Sequence, residues 1–158
     1  MTIPYPNFAD GVGYAGELAA VIGEPCRQVN PEESLEYVRG YTIMNDVDAL
    51  GQEGAGMKVF EGGAPLGPWI ETDLDPSNLD IETTVGGDLR QEGNTNEMLF
   101  SPSEIVSFLS ERITLQPGDV VAFGSPANPG QVQPGESVEI WYEGIGTLRN
   151  DLEYPESQ

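Results

Sequence analysis

A chain of 158 residues is long enough to bury a real core as one domain, here expected over residues 1–158. Its twenty glycines and thirteen prolines, spread along the whole length, favour short strands joined by turns over a helical bundle. The net charge is −21, from 27 acidic against six basic residues, and the carboxylates lie along the entire chain with no acidic tail. Nucleic acid is therefore disfavoured as a partner, because phosphates are repelled on every face. Histidine is absent, which removes His metal ligands, Ser-His-Asp triads and every imidazole base.

Dense, evenly spread carboxylates fit adaptation to high salt, where repulsion is screened within a few ångströms, better than they fit a single basic partner. Cys26 is the only cysteine, so no internal disulfide is possible and a reducing, cytoplasmic setting fits. The opening MTIPYPNFADGVG has neither a basic stretch nor an apolar run, and neither a signal peptide nor a membrane anchor is expected from it.

Residues 1–13 read as an irregular lead-in. Tyr14 to Gly23 is a strand whose apolar run, Leu18 to Ile22, is preceded by Glu17. A carboxylate at the mouth of a buried strand is exposed, paired or metal-bound, since burying it alone costs too much. Asn30 to Gly40 reads as a short amphipathic helix: Asn30 caps, Pro31 starts, Glu33 completes a capping box, Leu35 and Val38 share a face, and Gly40 stops it.

Tyr41 to Asp46 is a buried strand ending in a carboxylate. A glycine-rich connection leads to Lys58, the only lysine of the chain, and a Pro/Gly turn leads into Trp69 and Ile70. Asp46 and Lys58 are either a metal ligand and a counter-charge in one cleft, or a strand-capping Asp and a surface Lys.

Leu79 to Gln91 is a hairpin turned at Gly86-Gly87, with Arg90 and Gln91 on its return half and Asn94 and Thr95 in the loop beyond. These donors either hold a bound carboxylate or tie down their own loop. Ser101 to Ile113 is the clearest helix, with Ser101, Pro102 and Glu104 forming its start and Ile105, Phe108 and Leu109 a core stripe. Two Pro-Gly turns, at 117–118 and 134–135, start further strands, and Ile145 to Asn150 pairs back on the last of them. The turn after Phe123 presents Ser125 beside Gly124. Residues 151–158 read as a flexible tail.

The pieces GELAAVIG at 16–23, VRGYTIMNDV at 38–47, KVFEGGAPLGPWI at 58–70, GGDLRQEGNTNEMLFS at 86–101, ITLQPGDVVAFGSP at 113–126 and EGIGTLRN at 143–150 together resemble the C-terminal catalytic domain of the fumarylacetoacetate hydrolase family. The resemblance implies a mainly β (α+β) fold, a mixed β-sandwich roll with two short flanking helices, commonly as a homodimer. It also implies Mg²⁺ or Mn²⁺ with a small 2-oxo acid as substrate, the reactions being C–C hydrolysis, decarboxylation, isomerisation or dehydration.

By position, the resemblance makes Glu17 and Asp46 metal ligands and Lys58 the pocket lysine. It makes Arg90, Gln91 and Ser125 substrate-binding, with Gln52 replacing a pocket Gln. Two departures stand out. The first Glu of the family's Glu-x-Glu pair is Ala15, and the Ser-Ala-Arg-Asp segment after the ligand Asp reads Asp48, Ala49, Leu50, Gly51. The family's N-terminal lid with its His-Glu pair has no counterpart. Three readings follow: a metal-dependent enzyme on 2-oxo acids, a degenerate binding or structural subunit, or a fragment whose lid is encoded elsewhere.

Overall fold

The computed structural model describes residues 1–154. Twelve strands and two helices follow in order: β1 (Thr2–Pro4), β2 (Gly11–Tyr14), β3 (Gly16–Ile22), α1 (Pro31–Ser34), β4 (Val38–Asn45), β5 (Asp48–Leu50), β6 (Leu66–Glu71), β7 (Asp80–Val85), β8 (Asp88–Asn94), α2 (Pro102–Arg112), β9 (Val120–Ala122), β10 (Gly130–Val132), β11 (Ser137–Tyr142) and β12 (Gly146–Glu153). Single 3₁₀ turns lie at Leu35–Tyr37, Gly54–Met57 and Thr95–Glu97.

The strands form three sheets, ordered β1-β12-β11-β7-β8, β10-β2-β5 and β6-β4-β3-β9. All pairings are antiparallel except β1 with β12, so this is the mixed β-roll expected, flanked by two short helices.

β3 is the strand on which the sheets converge. Its even positions face the five-stranded sheet: a Cβ added to Gly16 would lie 2.8 Å from Ile140 Cγ2 and 2.9 Å from Thr83 Oγ1. Leu18, Ala20 and Ile22 continue that face and are buried with Ile81, Val138, Ile140, Tyr142 and Leu152 in one apolar core. Strand alternation then puts Ala15 and Glu17 on the opposite face.

Turn chemistry sets the hairpins. Gly86 and Gly87 both take positive φ, 58° and 91°, as a two-residue turn between β7 and β8 demands. At α2 the capping box is complete: Ser101 Oγ accepts the Glu104 N–H, and the Glu104 carboxylate accepts the Ser101 N–H at 2.8 Å.

Four expectations need correction. The helix over Asn30 to Gly40 stops after α1 and one 3₁₀ turn, and Asn30 makes no side-chain cap. The reason is tertiary: Ile22 pairs with Val38 and Val21 with Gly40, so the C-terminal part of the amphipathic stretch is drawn into β4. Phe108 is not in the core stripe but 53 % exposed, with the Arg112 guanidinium 3.6 Å over its ring. The lead-in contains β1 and the start of β2, because Thr2, Ile3 and Pro4 pair in parallel with Asp151, Leu152 and Glu153. That pairing also makes residues 151–153 part of β12, while residues 155–158 of the expected tail lie outside the described residues.

Candidate functional site

The register of β3 against β4 builds the site. Beyond the last strand pair, Gly16 with Asn45, the backbones of Ala15 and Asp46 exchange two hydrogen bonds of 3.1 and 2.8 Å. Position 15 therefore stands directly opposite Asp46, with Glu17 two residues along on the same face. Asp48 follows Asp46 by two residues at the start of β5. The 3₁₀ turn Gly54–Met57 then returns the chain, so that Lys58 ion-pairs with Asp46 and lies 2.7 Å from Asp48 Oδ1.

Glu17 is 8 % exposed, and its Oε2 accepts the Gly124 N–H at 3.0 Å. Burial pushes its carboxyl above the usual range and the nearby Asp46 charge adds to this; the Gly124 N–H and the Lys58 ammonium pull the other way without cancelling it. For Lys58 the balance is reversed. Burial lowers it, but hydrogen bonding and charge from Asp46 and Asp48 outweigh burial and leave it above its ordinary value. Asp48 Oδ1 is sealed from solvent, and the Lys58 ammonium 2.7 Å away is the cation beside it.

Glu17, Asp46 and Lys58 are thus brought together, and Asp48 joins them. Asp48 was missed as a site residue; its position two residues after Asp46, in alternation with it, is the signal that could have found it.

Gln91 and Ser125 meet on the other side of Gly16. The buried Gln91 amide accepts the Gly16 N–H at 3.2 Å and donates to Ser125 Oγ at 3.1 Å and to the Ala127 carbonyl at 3.2 Å. Both its ends are occupied by the protein, and they tie the start of β3 to the turn that carries Gly124. Arg90 is exposed, 3.6 Å from Asp88, and its charge is felt at Tyr14. Gln52 donates to the Phe8 carbonyl at 3.0 Å, joining the connection to the chain between β1 and β2. Neither Arg90 nor Gln52 bonds to a residue of the carboxylate cluster.

Asn94 and Thr95 secure their own loop, through Asp80 at 2.7 Å and the Leu79 N–H at 2.8 Å. A concavity of about 430 Å³, lined by Asp80, Glu82, Glu92, Glu97 and Trp141 among others, shares no residue with the Glu17–Lys58 cluster.

A second feature went unread in the sequence. Asn45, just before Asp46, donates through Nδ2 to Asn150 Oδ1 at 3.1 Å, both side chains being fully buried. The amide pair locks the end of β4 against β12 and so fixes where Asp46 emerges.

The profile of the fumarylacetoacetate (FAA) hydrolase C-terminal domain matches residues 1–153. The chain belongs to the fumarylacetoacetate hydrolase family. It is 40% identical over 161 residues to the 4-hydroxyphenylacetate degradation bifunctional isomerase/decarboxylase of Salmonella dublin, covering 96% of this chain and 38% of that enzyme. The crystal structure of 5-carboxymethyl-2-hydroxymuconate delta-isomerase from Mycobacterium smegmatis superposes with a TM-score of 0.90 at 40% identity, covering 99% of this chain and 64% of that one. Maleylpyruvate hydrolase from Sphingobium sp. SYK-6 superposes with a TM-score of 0.89 at 32% identity, covering 98% and 59%. The chain thus spans less than two thirds of these relatives' length. Among its described residues no helix is long and apolar enough to cross a membrane.

The resemblance gives the family's divalent cation Glu17 and Asp46 as its ligands. The donor set does not fit it as arranged. Position 15 offers only a methyl group, Glu17 faces the Gly124 N–H, and Asp46 holds Lys58. Among the described residues no three Cys, Asp or Glu side chains converge closely enough to hold a metal ion.

Proposed function

We propose that this chain is an enzyme of the fumarylacetoacetate hydrolase family acting on a small 2-oxo acid, by isomerisation, decarboxylation or C–C hydrolysis. The observation that carries the reading is the convergence of Glu17, Asp46 and Lys58 at one spot, in a chain 40% identical to part of an isomerase, the match covering 99% of this chain and 64% of that one. Each of these reactions passes through an enolate or a related developing anion, and a preorganised cation is what such a charge needs. Lys58 supplies it, held above its ordinary pKa and so charged at neutral pH. Glu17, raised by burial, keeps its proton closer to neutrality than an exposed Glu and so suits proton transfer at a carbon next to the oxo group.

Asp46 and Asp48 position Lys58. Ser125, half-buried in the turn beside Gly124, and Arg90, exposed on β8, are the substrate-oxygen donors of this reading, with Gln91 fixing the turn and Gln52 the connection. Mg²⁺ or Mn²⁺ is not carried into it, since the donor set does not fit. A second copy of the chain as partner accords with the exposed Leu66, Trp69 and Ile70 on β6, and a cytoplasmic setting with the free, buried Cys26.

Turnover of oxaloacetate and acylpyruvates is the test. Loss of activity in Asp46→Ala and Lys58→Met is expected, and activity unchanged in Asp46→Ala rejects the roles. Ala15 favours a second reading, a binding or structural subunit without catalysis. A folded wild-type chain with no turnover of any of these acids selects that reading.

A further inference from the structure

We propose that Lys58 is the resident cation of this site, occupying by charge the place of a divalent metal, so that ammonium and metal exclude one another. The inference goes beyond the proposed function and holds whether or not the site turns over substrate.

Three acidic side chains lie close together: Asp46 stands opposite position 15, Glu17 is two residues along the same face, and Asp48 follows Asp46 by two residues. An uncompensated group of this kind is costly even when half-buried. The chain contains a single lysine, and its ammonium contacts both Asp46 and Asp48.

Lys58 reaches them by a defined route. The 3₁₀ turn Gly54–Met57 closes on Lys58, whose N–H bonds to the Ala55 carbonyl at 3.1 Å. The chain then turns through Gly63, whose carbonyl accepts the Val47 N–H at 3.2 Å between the two aspartates. The backbone carrying Lys58 is therefore hydrogen-bonded to the backbone carrying Asp46 and Asp48, and the ammonium sits within an ordered connection.

The carboxylates are also distributed as a lysine requires and a metal does not. A divalent ion is held by oxygens converging on one point at about 2.0–2.6 Å. A Glu at position 15 would stand opposite Asp46 and beside Glu17 to make such a point, but the residue is Ala15. The additional carboxylate stands instead at Asp48, on the Lys58 side of Asp46. An ammonium with three separate donors serves two aspartates that do not share a centre. A metal reaching Asp46 would have to displace Lys58, since two cations on one carboxylate repel at close range.

Competition is measurable without any substrate. Mn²⁺ binding is followed by calorimetry and by the electron paramagnetic resonance of free Mn²⁺ in molar KCl, which masks the acidic surface. The proteins are wild type, Lys58→Met, and Lys58→Met combined with Asp46→Asn. Wild type is expected to show no saturable site. Lys58→Met is expected to bind Mn²⁺ about tenfold or more tightly than wild type, because charge count sets affinity at carboxylate sites. The double variant is expected to lose that gain.

Three results overturn the proposal: saturable Mn²⁺ binding by wild type, no gain in a Lys58→Met protein whose circular dichroism is native, or a gain that survives Asp46→Asn. If Lys58→Met fails to fold, the single lysine of the wild type still decides. After reductive ¹³C-methylation its methyl resonance should not move with added Mg²⁺, and a saturating shift refutes the exclusion. A wild type without turnover but with this binding pattern would discard the proposed function and leave the present inference standing.

Discussion

Replacing Gln91 by Met keeps the length and volume of the side chain and removes its amide. The amide is 2 % exposed and makes three hydrogen bonds, to Gly16, Ser125 and Ala127. In the variant the buried Gly16 N–H loses its acceptor, which costs about 1–3 kcal/mol, and each lost donor bond about 0.5–1.5 kcal/mol. Ser125 and Ala127 are only partly buried and recover part of this from water. The expected destabilisation is therefore about 2–4 kcal/mol, which for a chain of this size lowers Tm by roughly 5–15 °C. Urea unfolding in molar KCl should show a lower midpoint with an unchanged slope, since no surface is newly exposed. A functional consequence follows, because the tied turn carries the Gly124 N–H that holds Glu17: Gln91→Met should lower turnover more than it raises KM. A midpoint shift worth less than about 0.5 kcal/mol, within the noise of ordinary surface changes, would refute the claim that Gln91 is the tie.

Gly16→Ala places a methyl 2.8 Å from Ile140 Cγ2 and 2.9 Å from Thr83 Oγ1, and should cost about 1–3 kcal/mol in the same urea assay; a neutral result would mean that the two sheets can part there without strain. Burial, aided by the Asp75 charge, pushes the Tyr41 phenol from 10.0 up to about 12. Between those values the folded chain keeps a proton that the unfolded chain has lost, so stability falls as pH rises through the window, by up to about 2.7 kcal/mol. Tyr41→Phe should flatten that alkaline decline in Tm, and equal slopes for the two proteins would reject it. With a net charge of −21 the wild-type Tm should rise steadily with KCl, as molar salt shortens screening to about 3 Å; a flat profile would remove the high-salt reading.

What the sequence made legible are the elements whose signals are local. The Gly86-Gly87 turn, the Ser101 capping box and the Pro-Gly turns before β9 and β11 carry their own geometry within four or five residues, and each stands where expected. The elements that went unread are set by partners far along the chain. β1, β5 and β10 are three residues long, too short for any period to show, and exist because Leu152, Val12 and their neighbours offer an open edge. The same competition shortened α1. Its helical periodicity was real, but the ladder between Val38–Gly40 and β3 offered more than one further turn of an exposed helix.

The site divides along the same line. Glu17, Asp46 and Lys58 could be named from residue type and family position, and the structure brings them together because 15 faces 46 and strand alternation does the rest. Chemistry alone could not say what Gln91 touches: an amide near a pocket serves a ligand or the backbone equally well, and only the packing of Gly16 against Ile140 and Thr83 fixes the amide on the backbone. Asp48 is the more instructive omission. As a departure from a pattern it looked like a loss, yet two residues after Asp46 it adds a charge on the side where the only lysine arrives. Ala15 and Asp48 change the same balance in opposite senses, one carboxylate removed from beside Glu17 and one added beside Lys58. On the exclusion proposed above, that pairing suits the cluster to an ammonium on the chain and not to an ion from solution.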